Sequence, residues 1–239
     1  MHRLLLFFSF FLVLLCGFYH FYADLYQRYL IATIWPQGMP QIATSESPTL
    51  SKQKILIVGD SRAKDWGTLN TPSFLILNCS IAGSTTGQLR ILLPTLLEKH
   101  NPDIIVIQSG INDLKILGLR PDLQQVILDE SYSNLKEIAL LSLRKKCRVL
   151  LTLVIPPDKP SLLRRLVWSD LIPQSVDLLN NRLLRVSNVN HQIEVIDLVN
   201  DLNTARALKL NSDAYLDTLH LRPNINQMML DFLTKYFSR

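Results

Sequence analysis

The chain has 239 residues, 48% of them hydrophobic, with three cysteines and a net charge of +5. That length suits one domain with a sizeable core plus an appendage. The modest charge argues against a nucleic-acid face but permits a mild attraction to anionic lipid or polymer. Three cysteines make no disulfide framework, and no Cys/His spacing suggests a zinc site.

The first feature along the chain is apolar. Leu4 to Ala23 reads LLLFFSFFLVLLCGFYHFYA, about the ~20 residues that a membrane-spanning helix needs. Arg3 precedes it, so the positive-inside tendency predicts a cytoplasmic amino terminus and everything after Ala23 outside, in the periplasm or extracellular space. A cleaved signal peptide competes with an uncleaved anchor. It would want small residues before the cut, and Phe21-Tyr22-Ala23 offers only the last, so the anchor is favoured. The mix of Tyr22, Tyr26, Arg28 and Tyr29 suits an interfacial belt. Residues 36–53 are rich in Pro, Ser and Thr and read as a linker. The expected organisation is an anchor or signal segment over 1–23, a juxtamembrane segment and linker over 24–53, and one domain over 54–239.

That domain opens on Lys54 to Ser61, KILIVGDS. Four aliphatic residues in a row predict a strand buried on both faces of a parallel sheet. Gly59 lets the backbone turn tightly at the strand's carboxyl end, where open α/β sheets place their ligands. Ser61 on that turn is well placed for a nucleophile, and equally for an N-cap that satisfies helix amides.

Further strands are expected over Phe74–Asn78, Asp103–Gln108, Arg148–Ile155 and Ile193–Leu198. Helices are expected over about 61–66, 87–100, 121–145, 174–189 and 223–237. Cys79 and Cys147 fall at strand ends, where cysteine acts as a small buried hydrophobe. Alternating strands and helices predict an α/β fold, a five-stranded parallel sheet wrapped on both faces, with a flavodoxin-like order the most economical. Three polar, glycine-bearing loops then share one crevice: Gly59-Asp60-Ser61, Ser80 to Ser84, and Gly110 to Asp113.

A serine hydrolase needs a base, an acid to orient it, and donors for the oxyanion. Gly83 offers an unobstructed backbone amide and Asn112 a side-chain amide, though a turn glycine and an Asx-turn residue would look the same. Of five histidines, His2 and His20 belong to the membrane segment, His100 suits a helix C-cap, and His191 sits in a loop. His220 follows Asp217 by three residues, a spacing that puts both side chains on one side of a turn. The aspartate would hold one ring nitrogen and leave the other facing Ser61, unless the two form only a local surface pair.

The ordered set GDS (Gly59–Ser61), SIAGSTT (Ser80–Thr86), GIND (Gly110–Asp113) and DTLH (Asp217–His220) resembles the SGNH, or GDSL-type, hydrolase family. The resemblance covers residue 54 to the carboxyl terminus. It implies Ser61 as nucleophile, His220 as base, Asp217 as its orienting acid, and the Ser61 amide, Gly83 and Asn112 as the oxyanion hole. It also implies a three-layer α/β/α sandwich. Asp60 and Asp113 match motif positions and are expected to brace the loops. Related sequences often carry a glycine soon after the histidine, whereas this chain reads Leu221-Arg222-Pro223-Asn224.

The implied activity is hydrolysis of a carboxylic ester through an acyl-serine, with no metal or organic cofactor. Expected substrates are small-molecule, lipid or O-acylated glycan esters. An envelope O-acyltransferase using the same site, or a non-catalytic envelope binding module, are the alternatives. Pro156 to Pro173, with Trp168 and several leucines, suits an apolar lid or a loop packed on the core. Arg164-Arg165 within it suits an anionic substrate or a solvated pair.

Overall fold

The computed structural model describes residues 2–34, 52–204 and 212–238. The linker expected over 36–53 lies almost wholly outside the described residues. Six strands form one sheet: β1 (Gln53–Gly59), β2 (Leu69–Asn70), β3 (Phe74–Asn78), β4 (Ile104–Gln108), β5 (Arg148–Thr152) and β6 (Ile193–Ile196). The helices are α1 (His2–Ile34), α2 (Ser61–Lys64), α3 (Thr86–His100), α4 (Ile111–Leu114), α5 (Gln124–Arg144), α6 (Leu171–Leu183), α7 (Val186–Val189), α8 (Leu198–Thr204) and α9 (Pro223–Phe237).

The sheet order is β2-β3-β1-β4-β5-β6. The five expected strands are all present and parallel, in the flavodoxin-like order with β1 at the centre. The sheet differs from the expectation in its sixth strand. β2 folds back antiparallel on β3, pairing Leu69 with Ile76 and Asn70 with Leu75. Two residues are too short to show an alternating pattern, so nothing in the sequence marks them.

Strand alternation divides the core into two layers. Leu56, Val58, Ile105, Ile107, Val149 and Leu151 pack beneath α3, α5 and α6. Ile55, Ile57, Ile104, Val106 and Leu150 face the other way, toward α9. Every one of these strand residues is buried, and burying each side chain is worth about 1.5–3 kcal/mol. On α9, Pro223 starts the helix at a position where a missing N–H does no harm, and Ile225, Met229, Leu230 and Leu233 form its buried face. The missing glycine after the histidine therefore leaves the start of this helix undisturbed.

α1 is 33 residues long, and its segment Phe7–Tyr26 is long and apolar enough to cross a membrane. It continues past Ala23 because no proline or glycine interrupts the chain before Pro36. Cys79 and Cys147 are buried as expected. His100 departs from expectation. It is buried with its ring 3.7 Å from the Cys79 sulfur, and the left-handed residue that ends α3 is Asn101, whose N–H caps Leu97 O.

Candidate active site

The site is built outward from the end of β1. Gly59 lies directly against the neighbouring strand: a Cβ there would stand 1.9 Å from the carbonyl oxygen of Gln108. Only glycine permits this approach. The Asp60 N–H then donates to that same Gln108 carbonyl at 3.2 Å, and the Asp60 carboxylate caps α2 by accepting the Arg62 N–H at 2.9 Å. Asp60 thus supplies the cap that Ser61 was a candidate for, and the Ser61 hydroxyl is left to other work.

That hydroxyl meets His220. Ser61 Oγ lies 3.0 Å from His220 Nε2, and His220 Nδ1 lies 2.9 Å from Asp217 Oδ2. A proton on Nδ1 satisfies the carboxylate and leaves Nε2 free to accept the serine O–H. The other carboxylate oxygen of Asp217 accepts the Leu219 and His220 N–H groups at 2.7 and 2.8 Å. Partial burial alone would raise the Asp217 carboxyl, but the His220 ring and these two amides outweigh it and bring its pKa down to about 2. The aspartate is therefore a stable anion. The pair is not merely a surface contact, because its free ring nitrogen engages Ser61 across 159 residues of sequence.

The loop carrying His220 is held from several directions. Tyr215 bridges Leu221 across its base, the Tyr215 hydroxyl donates to Pro156 O, and the Asp158 N–H donates to Thr218 O. A fourth tether was invisible in the sequence. Arg62 is 1% exposed, and its Nε donates to Leu219 O at 2.8 Å while Nη1 donates to Ile155 O. One side chain thus joins the serine's helix, the segment just after β5 and the residue before His220. Burial pulls the Arg62 guanidinium below its usual range, with Asp60 opposing; burial likewise pushes Asp60 up, with Arg62 opposing.

The second and third loops converge on the same strand end. The Gly59 carbonyl accepts both the Ile81 N–H at 2.9 Å and the Ser84 hydroxyl at 3.0 Å. Gly83, between them, has φ +79°, a left-handed conformation that favours glycine. Asn112 donates one amide hydrogen to Ser84 O at 2.9 Å, which sets its side chain beside the Gly83 loop and leaves its second hydrogen available. Neither the Ser61 N–H nor the Gly83 N–H bonds to any described residue.

Asp113 accepts the Thr86 N–H at 3.0 Å and the Thr86 hydroxyl at 2.6 Å, tying α4 to the start of α3. Burial pushes its carboxyl up to about 6 despite those hydrogen bonds. All seven residues singled out in the sequence therefore lie in or directly behind this crevice. Among the described residues, no group of three His, Cys, Asp or Glu side chains is arranged to hold a metal ion.

The segment after β5 is divided. Val167 is buried, whereas Leu162 and Leu163 are 80% and 63% exposed. Its first residues, Ile155, Pro156 and Asp158, bond to Arg62 and to the His220 loop and so belong to the wall of the site.

Comparison with known proteins adds sequence and fold relationships. The GDSL-like lipase/acylhydrolase family model matches residues 58–228. An arylesterase from Vibrio mimicus is 33% identical over 124 residues, which make up 45% of this chain and 58% of that protein. The match therefore spans little more than half of the relative's length. A GDSL-like lipase from Bacteroides thetaiotaomicron superposes with a TM-score of 0.60 at 18% identity, over 91% of this chain and all of that one. An acetylxylan esterase from Geobacillus stearothermophilus gives 0.59 at 18% identity, over 78% of this chain and 94% of its own. At such identities these two share the fold.

Proposed function

We propose that this chain, which belongs to the GDSL-like lipase/acylhydrolase family, is an ester-hydrolysing enzyme that works through an acyl-serine formed on Ser61. His220 Nε2 takes the Ser61 proton as Oγ attacks the ester carbonyl, and Asp217 stabilises the imidazolium that results. The oxyanion accepts hydrogen bonds from the Ser61 and Gly83 N–H groups and the free amide hydrogen of Asn112. His220 then gives its proton to the departing alcohol. Water, deprotonated by the same nitrogen, attacks the acyl-serine and releases the acid. This sequence uses no metal or organic cofactor.

The observation that carries this reading is the continuous line from Asp217 through His220 to Ser61, with contacts of 2.9 and 3.0 Å. We place α1 in a membrane with its amino terminus in the cytoplasm and the catalytic domain outside, on the strength of Arg3 and the apolar segment that follows. That location favours lipid or O-acylated glycan esters as substrates. Acetyl is the first acyl group to test, since acetylxylan esterases share this fold.

The test uses the full chain in detergent. Wild type should hydrolyse p-nitrophenyl acetate or a longer acyl homologue and take up a fluorophosphonate probe, and Ser61→Ala should lose both. Asn112→Ala should lose about 10²–10³ in turnover. A folded wild type that ignores both the esters and the probe would overturn the acyl-serine mechanism. Protease accessibility of the domain in sealed membranes reads the orientation.

A further inference from the structure

Lys115 stands three residues beyond Asn112, at the start of the 3-10 turn Lys115–Gly118 that follows α4. On a helical run, residues three apart share a face, so Lys115 extends the wall that Asn112 begins. The residue is only 8% exposed, and its ammonium donates no hydrogen bond to any described residue.

Arg164 lies in the neighbouring 3-10 turn, Arg164–Val167. The two turns dock backbone on backbone: a Cβ on Gly118 would stand 1.8 Å from Val167 O and 3.2 Å from Trp168 Cα. The Arg164 guanidinium lies over the Trp168 ring at 5.3 Å, and its buried Nε has no hydrogen-bond partner. Stacking of this kind fixes the plane of the guanidinium and leaves its edge for a ligand.

Lys115 is influenced by the carboxylates of Asp60 and Asp217 and by the cations Arg62 and Arg164. Asp217 is already occupied on both oxygens by the His220 loop.

We propose that Lys115 and Arg164 form a subsite for an oxyanion, such as a carboxylate, phosphate or sulfate, carried by the ester substrate. The subsite rests on the reading of Ser61 as the nucleophile and adds a substrate class to it: negatively charged esters over neutral ones. Burial brings the Lys115 amine down to about 8, and a bound anion would hold it charged. A competing role for Lys115 is to neutralise the buried Asp60 alone.

Two pairs of matched substrates separate these roles in the full chain in detergent. Para-acetoxybenzoate against para-acetoxybenzamide places the charge on the alcohol side, and monophenyl adipate against phenyl hexanoate places it on the acyl side. In at least one pair, Lys115→Met and Arg164→Gln should each lower the charged-over-neutral ratio of kcat/KM by about tenfold or more, through KM. Lys115→Arg should keep most of the preference. Ratios unchanged by both substitutions in both pairs would overturn the subsite. So would an equal loss on charged and neutral members with Lys115→Met, which would assign the lysine to Asp60. If Lys115→Met does not fold, Arg164→Gln in the neighbouring turn carries the same comparison. The failure of the nucleophile reading looks different: turnover of the neutral esters that survives Ser61→Ala.

Discussion

Replacing Arg62 by methionine isolates what a buried cation does for the site. The substitution removes donors from two carbonyls, Leu219 O and Ile155 O, and each buried carbonyl left unsatisfied costs about 1–3 kcal/mol. It also relieves a penalty of similar size, because Arg62 Nη2 is itself buried without a partner and the whole guanidinium is desolvated. The net expectation is a loss of about 1–3 kcal/mol, from two bonds lost against one penalty relieved. For a chain of this size that corresponds to a melting temperature lower by roughly 2–12 °C. Leu219 immediately precedes His220, so freeing its carbonyl also frees the imidazole, and a displacement of about 1 Å costs up to about 10² in rate. Thermal melts and kcat on a chromogenic ester read the two effects separately. Arg62→Lys should fall nearly as far, since an ammonium cannot span both carbonyls as the guanidinium fork does. Melting temperature and kcat equal to wild type in Arg62→Met would refute the reasoning and show that the Tyr215 and Asp158 contacts hold the loop unaided.

Asp217→Asn should lower kcat by about 10³–10⁴, because an amide no longer fixes the imidazole tautomer. Asp217 is depressed to about 2 from an ordinary value of 3.8, so the stability it contributes is present above pH 3.8 and is lost as pH falls toward 2. Acid melts of the asparagine variant should accordingly be less steep across that window. Asp113 has the opposite sign: raised to about 6, it contributes fully below pH 3.8 and loses that contribution as pH rises through 6. Asp113→Asn should flatten the fall in melting temperature between pH 4 and 7, though not abolish it, because buried Asp60 is shifted the same way. Gly59→Ala forces β1 away from the Gln108 carbonyl and should destabilise the protein by about 3 kcal/mol, seen as a lower denaturant midpoint.

The architecture and the seven candidate residues were legible because each rests on a local signal. An unbroken aliphatic run marked β1, a proline at its first turn marked α9, and Asp217 and His220 lie three residues apart. What was illegible depends on contacts distant in sequence. Arg62 reads as an ordinary polar helix residue, and only its bond to Leu219 O, 157 residues away, makes it part of the core. Lys115 likewise looks like a solvated lysine until the turn at Gly118 docks on Val167. β2 left no trace because its pairing is fixed by β3, through Thr71 N–H to Phe74 O, and not by its own two side chains. His100 was misjudged because a histidine at a helix end usually faces solvent, whereas here the adjacent Asn101 takes the cap and turns the ring inward.

On the proposed mechanism, the distance along the chain between Ser61 and His220 also sets when this protein can begin to act. The base arrives 159 residues after the nucleophile, a lag of roughly 8–30 s at typical synthesis rates of about 5–20 residues per second. Until then the serine has no partner to take its proton. The loop carrying His220 is in turn followed by α9, whose buried face completes one layer of the core. A nascent chain is therefore chemically silent, and truncated chains lacking the last forty residues would remain so. On that mechanism, reactivity is switched on by completion of the fold.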